Sequence, residues 1–249
     1  MRFQSAVSVA LLLLTPSLGS AYDQVTVENG GAVVGKVKYP GRPSVPKKIT
    51  PTADKVVCGR HGPIVSDELV VSPDSGLSNA VIHVVDVTAG KPLISMPTRS
   101  LDQNGCTFQP HILVFPVGKQ LKVRNSDGIL HNIHTYSVKN PPINNAQPGS
   151  MPEVLLGPFT ISEVIKVTCD VHRWMSGWIW VASHPYVTVS GPGGAYKILD
   201  LRPGKYRVEA WHETLGKISS EVTIAAGKES RLDFVFPARP AKAQPAGTK

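Results

Sequence analysis

Cys169-Asp170-Val171-His172-Arg173-Trp174-Met175 is the stretch whose reading decides the fold. It places a thiol, an imidazole and a thioether within seven residues. Just before it, Ile165, Val167 and Cys169 alternate with Lys166 and Thr168, so in an extended strand the cysteine lies on the inward face at the strand end. His172 and Met175 then follow in a tight loop over the same pole. A second imidazole is available upstream, in Leu130-His131-Asn132-Ile133-His134. Two histidines, a cysteine and a weak axial methionine form the set that holds copper for one-electron chemistry. Thiolate and thioether favour Cu(I), and imidazole accepts both oxidation states. His131 and His134 compete for the upstream place. Three positions apart in a strand, they face opposite sides, and only one can meet Cys169. His131 is the expected ligand, with His134 at the surface near the same pole or bonded to a ligand's neighbour.

The stretch from Gly105 to Ser183 resembles the cupredoxins. The Cys-x-x-His-x-x-Met loop resembles the short version seen in amicyanin. Asn125-Ser126-Asp127 leading to His131-Asn132 is similar to the family's first-ligand segment, where an Asn after the His braces the loop. Phe108-Gln109-Pro110 through Val117-Gly118 to Val123 resembles the strand pair before that segment. The resemblance implies a Greek-key β-sandwich over residues 98–183 and one copper ion cycling between Cu(I) and Cu(II). It implies His131, Cys169 and His172 as equatorial ligands, Met175 as the axial one, and Asn132 as the brace. It also implies that His172 protrudes through the surface as the electron's exit, toward a redox protein partner. Val171 and Arg173 stand where the family often has prolines, and 161–168 lacks the aromatic usual before the cysteine.

Of the three cysteines, Cys169 is claimed by copper, which leaves Cys58 and Cys106 as an even pair. In an oxidising compartment a disulfide is the default. The rival is a zinc set, Cys58 and Cys106 with His61 and His111. The compartment follows from the start of the chain. Met1-Arg2, an apolar Ala6–Leu14 and a small-residue Gly19-Ser20-Ala21 read as a secretory signal peptide over 1–21, too short to span a membrane. No later segment is apolar enough to cross a bilayer, so an exported protein, most simply periplasmic, is expected. The formal net charge of +8 favours an acidic redox partner. No motif for nucleic acid is present.

Twenty-two glycines and 22 prolines in 249 residues, with no long helical period, predict an all-β chain of short strands and many turns. Gln24–Glu28, Ala32–Tyr39, Leu69–Val71 and Ala80–Val87 alternate like strands. Cys106–Val117, Gln120–Arg124, Ile129–Tyr136, Val164–Cys169 and Gly177–Ala182 supply the copper-side sheets, and Asn140–Pro152 reads as a long surface loop. After His184 the character changes to hairpins. Gly193-Gly194-Ala195-Tyr196-Lys197-Ile198, followed by Leu201-Arg202-Pro203-Gly204-Lys205-Tyr206-Arg207-Val208, resembles the carboxypeptidase regulatory-like module, a small transthyretin-like β-sandwich. Some fifty residues are thin for a complete sandwich core. Strands from 22–97 are therefore expected to complete 184–236, with the copper unit inserted between them. The rival is a plain tandem, in which the N-terminal strands complete the copper domain. Residues 237–249 read as a disordered tail.

An electron carrier is the leading expectation. Copper delivery or storage would use the same ligands in a more open site, and a structural or glycan-binding β protein is the third class. No enzyme is expected. The chain lacks a His-x-His pair, a Gly-x-Ser-x-Gly elbow and a His-Glu-x-x-His site.

Overall fold

The computed structural model describes residues 22–41 and 47–238; the signal-peptide stretch and nearly all of the expected tail lie outside them. The described chain is all-β, with one four-residue α-turn and two 3-10 turns. Its strands follow the period-2 pattern. Glu163–Thr168 buries Ile165 and Val167, and its partner Ser176–Ala182 buries Gly177, Ile179 and Val181.

One unit stacks a four-stranded sheet on a five-stranded one. The first runs Glu153–Phe159, Lys119–Asn125, Leu101–Asn104, Thr107–Gln109. The second runs Asn144–Gln147, His131–Thr135, Glu163–Thr168, Ser176–Ala182, Ile112–Pro116. Leu101, Phe108, Leu113, Leu121, Ile133, Phe159, Ile165 and Ile179 fill the space between. The expected continuous strand Cys106–Val117 is broken at Pro110, which has no N–H for a ladder. The chain uses the break to change sheets.

The other unit is discontinuous in sequence. Val81–Val85 sits between Val187–Val189 and Gly204–His212, and Val81 lies opposite Trp211. Gly31–Lys38 pairs with Ala195–Leu201, with Val34 opposite Lys197, and on its other edge with Glu229–Arg231 and Phe234–Val235. Val33, Val37, Leu77, Ile82, Val84, Tyr186, Val208 and Phe236 form its core.

Several local expectations fail for identifiable reasons. Asn140–Pro152 is not all loop: Asn144–Gln147 adds an edge strand to His131–Thr135, four residues in register, because backbone pairing outweighs a polar, proline-flanked composition. Gln24–Glu28 shortens to Asp23–Gln24, paired in parallel with Ala89–Gly90. Leu69–Val71 shortens to a single pairing of Val71 with Leu77. Residues 47–66, expected with the discontinuous sandwich, instead place Ile49, Cys58 and Ile64 on the core of the first unit. The two units meet through Trp211, whose ring packs on Trp178 and Trp180 at 5.1 and 6.0 Å, and through the Glu213 carboxylate, which pairs with His111 and accepts the Trp178 indole N–H at 2.8 Å.

Candidate metal centre

Strand pairing brings the upstream histidines to the end of the cysteine strand: His134 lies opposite Thr168. The loop from Cys169 to Met175 folds back over that pole. Met175 N–H donates to the His172 carbonyl at 2.8 Å, and Cys169 N–H points to the Met175 carbonyl at 3.4 Å. The His172 N–H points to the Cys169 sulfur at 3.4 Å. His131, Cys169, His172 and Met175 are all buried.

Three donor atoms converge. Cys169 Sγ is 3.9 Å from His131 Nδ1 and 3.8 Å from His172 Nδ1, and the two Nδ1 atoms are 3.0 Å apart. Bond lengths of ~2.0 Å to nitrogen and ~2.3 Å to sulfur, set 120° apart, would separate N from S by about 3.7 Å and N from N by about 3.5 Å. The sulfur–nitrogen edges match, and the imidazoles need open by only about half an ångström to admit a trigonal ion. Both use Nδ1, so both Nε2 atoms are free for orienting partners. His134 does not join this group. It stands at the surface, bonded through Nδ1 to both Asp170 oxygens at 3.1 Å and stacked on Tyr136. Asn132 clamps the residue after the cysteine, accepting the Asp170 N–H at 2.5 Å and donating to its carboxylate at 3.1 Å.

The sulfur is prepared as a donor. Burial alone would push the Cys169 thiol up, but hydrogen bonds from His131 and His172 and from backbone N–H groups outweigh it and bring it down to about 6. A thiolate at neutral pH is the form that binds metal.

Sequence reasoning missed the carboxylates behind the imidazoles. Asp127 Oδ2 is 2.9 Å from His131 Nε2, and Asp54 Oδ2 is 3.0 Å from His172 Nε2. A carboxylate on the far nitrogen fixes the ring's tautomer and orientation and strengthens it as a ligand. Asp127 is held in turn by a hairpin turn. Gly105 and Cys106, both at positive φ, join Leu101–Asn104 to Thr107–Gln109, and their N–H groups donate to its two oxygens at 2.7 and 2.9 Å. Burial would raise the Asp127 carboxyl, yet the His131 and backbone bonds keep it below the usual range. Asp127 stands four residues before His131, and that spacing was its only sequence signal. Asp54 lies 118 residues from its partner and carried none.

Two further expectations are corrected. His172 does not protrude: it is fully buried, closed in by Asp54 and by Trp174, whose ring is 5.1 Å away. The zinc alternative also falls. Cys58 and Cys106 are joined in a disulfide, and His111 pairs with Glu213.

No protein-family model and no curated relative matches the chain. Solved structures overlap it in part. A copper-containing nitrite reductase from Thermus scotoductus is 21% identical over 36% of this chain and 26% of its own, at a TM-score of 0.31. A purple cupredoxin from Nitrosopumilus maritimus is 26% identical over 30% of this chain and 82% of its own, at 0.26. An oxidised amicyanin variant is 15% identical over 47% of this chain and 100% of its own, at 0.31. The chain thus spans about a quarter of the nitrite reductase's length. What the centre can do follows from its own side chains.

Proposed function

We propose that this protein is an exported type 1 copper protein that carries single electrons between periplasmic redox partners. One observation carries the reading: a cysteine sulfur and two imidazole Nδ1 atoms, all buried, converge at the spacing of a trigonal site, with a buried methionine closing the same loop. His131, Cys169 and His172 would hold the ion, Met175 would weight it toward Cu(I), and copper would supply a one-electron couple. The chain's own part is to keep the ligands dry and nearly in place, so that little moves when the charge changes. The burial of His131, Cys169, His172 and Met175 supports the carrier reading, because dry ligands reorganise little when the charge changes. The exposed Arg173 beside it and the positive charge fit an acidic protein partner. The discontinuous sandwich, read as a transthyretin-like module, serves as a scaffold.

Copper delivery or storage is the second reading, and one observation favours it. His172, the electron's usual way out by the resemblance, is sealed beneath Asp54. Copper titration of the mature protein separates the readings. A carrier gives one site with intense thiolate-to-copper absorption and a reversible couple. A delivery protein gives a mixed spectrum and readily loses copper to a chelator. No thiolate band at all defeats both.

A further inference from the structure

The proposed centre has a cover that lies outside the ligand motif. Residues 47–66 fold over its pole. Lys48–Ile49 pairs with Ile64–Val65, and Ile49 and Ile64 pack on the underlying core. Between these strands the single turn Lys55–Cys58 begins at Asp54. Asp54 holds a left-handed backbone (φ 44°, ψ 40°), and its side chain does not cap the turn. Its carboxylate goes to His172 Nε2 instead.

The cover is tied down at one covalent point, the disulfide from Cys58 to Cys106. Cys106 is itself fixed to the centre. Its N–H donates to the Asp127 carboxylate that holds His131, and its carbonyl accepts the indole N–H of Trp174 at 3.1 Å. The Cys58 and Cys106 sulfurs and a His172 ring nitrogen lie within 4.8 Å of one another. Both carboxylate–imidazole pairs therefore meet at the disulfide. Without it, a pair of two-residue strands, two isoleucines and the Asp54–His172 bond would hold the cover, too little for a stable independent element.

We propose that residues 47–66 are a disulfide-latched lid on the metal centre and that Asp54 is the residue through which the lid positions His172; the proposal rests on the copper-site reading for its purpose. Latched, the lid seals His172 from solvent and partner. An exported dithiol protein is the reductant that releases it. One of its thiolates attacks a sulfur of the Cys58–Cys106 bond, forming a mixed disulfide and expelling the other cysteine as a thiolate, which takes a proton. The dithiol's second thiol, giving up its proton, displaces the remaining cysteine, which is protonated in turn. Two electrons and two protons pass to this chain, and the donor leaves oxidised. The freed lid withdraws Asp54, and His172 reaches the surface, open to a redox partner and to metal exchange.

The test begins without metal. Cys169 is the one unpaired cysteine, and it is buried, so its alkylation by iodoacetamide, read by peptide mass spectrometry, reports lid opening. The rate should rise about tenfold or more in Cys58→Ala/Cys106→Ala and severalfold in Asp54→Ala, relative to oxidised wild type, because local opening limits access. If the double variant fails to fold, dithiol-treated wild type gives the same comparison, with Cys58 and Cys106 counted on their own peptides. Equal rates in all of them overturn the lid. With copper loaded, Asp54→Asn should raise the reduction potential and speed loss to a chelator by about 10- to 100-fold, and Asp54→Glu should restore both. An unchanged potential overturns the positioning role. If wild type takes up no copper, the copper reading fails, while the alkylation rates still judge the lid.

Discussion

The two sandwiches have apolar cores of nearly equal size but opposite polar interiors. In the discontinuous unit, Ser78, Ser190 and His212 are the buried polar residues, and its tyrosines place their hydroxyls on nearby carbonyls, as Tyr186 does on Asp200 and Tyr196 on Leu232. The ligand-bearing unit instead buries Gln103, Asn125, Asp127, His131, Asn132, Asn140, Gln147, Glu163 and His172. Each such group costs desolvation and must find a partner. Most form short networks ending at the ligands or at the loops that carry them. Asp127 binds His131, and the Asn125 amide donates to the carbonyl of Ile129, just before the His131 strand, and to that of Gln147, opposite His131 on the edge strand. A core built only for stability needs none of this, and the discontinuous unit shows the chain can build one. The polar interior fits the proposed reading, in which this unit holds donor geometry for a metal.

The contrast breaks most sharply at the ligands. Cys169→Ser should abolish the thiolate-to-copper band outright, since a protonated hydroxyl replaces the soft donor. His131→Ala should weaken copper by orders of magnitude, while His134→Ala should leave the band in place and shift the potential slightly. The opposite pair of results in a copper titration would move the site to His134.

In the discontinuous unit the same severity should appear as stability alone. Phe236 is fully buried there. Phe236→Ala should cost about 3–5 kcal/mol in denaturant unfolding. Copper-loaded protein that stays folded should keep its spectrum. A changed spectrum would mean that the two interiors are coupled.

Glu163 sharpens the comparison from the other side, as a buried charge that touches no ligand. Burial would raise its carboxyl, but Ser137, the Val138 N–H and Asn140 bring it down to about 2. A carboxylate depressed in the folded state contributes stability in full above its unfolded value of about 4.5. That contribution is lost as pH falls through about 2. Glu163→Gln should therefore cost about 2 kcal/mol at neutral pH once solvent screening is allowed for, and the cost should vanish toward pH 2. A pH-independent difference in unfolding free energy would assign Glu163 a packing role instead.

How legible these features were depends on which physics placed them. The convergence of Cys169, His172 and one upstream histidine could be read from the sequence, because metal chemistry demands those side chains and strand periodicity fixes their faces. The opposite fates of His131 and His134 follow from the same alternation. The Asn144–Gln147 strand was hidden, since its pairing is made by backbone groups that any composition supplies. Asp54 was hidden more deeply. No local pattern ties it to His172, and its segment reaches the pole through long-range contacts, above all a disulfide closing 48 residues. The burial of His172 was missed with it, because a family resemblance describes the loop and says nothing of what another part of the chain lays over it.

The smallest expected effect lies on the outside of the ligand loop. Arg173 is exposed and directly follows the sealed His172, so it is a positive charge at the rim that a partner would meet while the lid is closed. Charges at such a rim steer encounter and do little once contact is made. Arg173→Glu should leave stability and copper absorption unchanged, and it should slow electron transfer to an acidic partner severalfold at low salt, with the difference fading as ionic strength rises and the Debye length falls below about 8 Å. Stopped-flow rates across a salt series measure this. If rates are independent of salt and unaffected by Arg173→Glu, partners approach through an apolar face, and the charge asymmetry of the pole serves solubility alone.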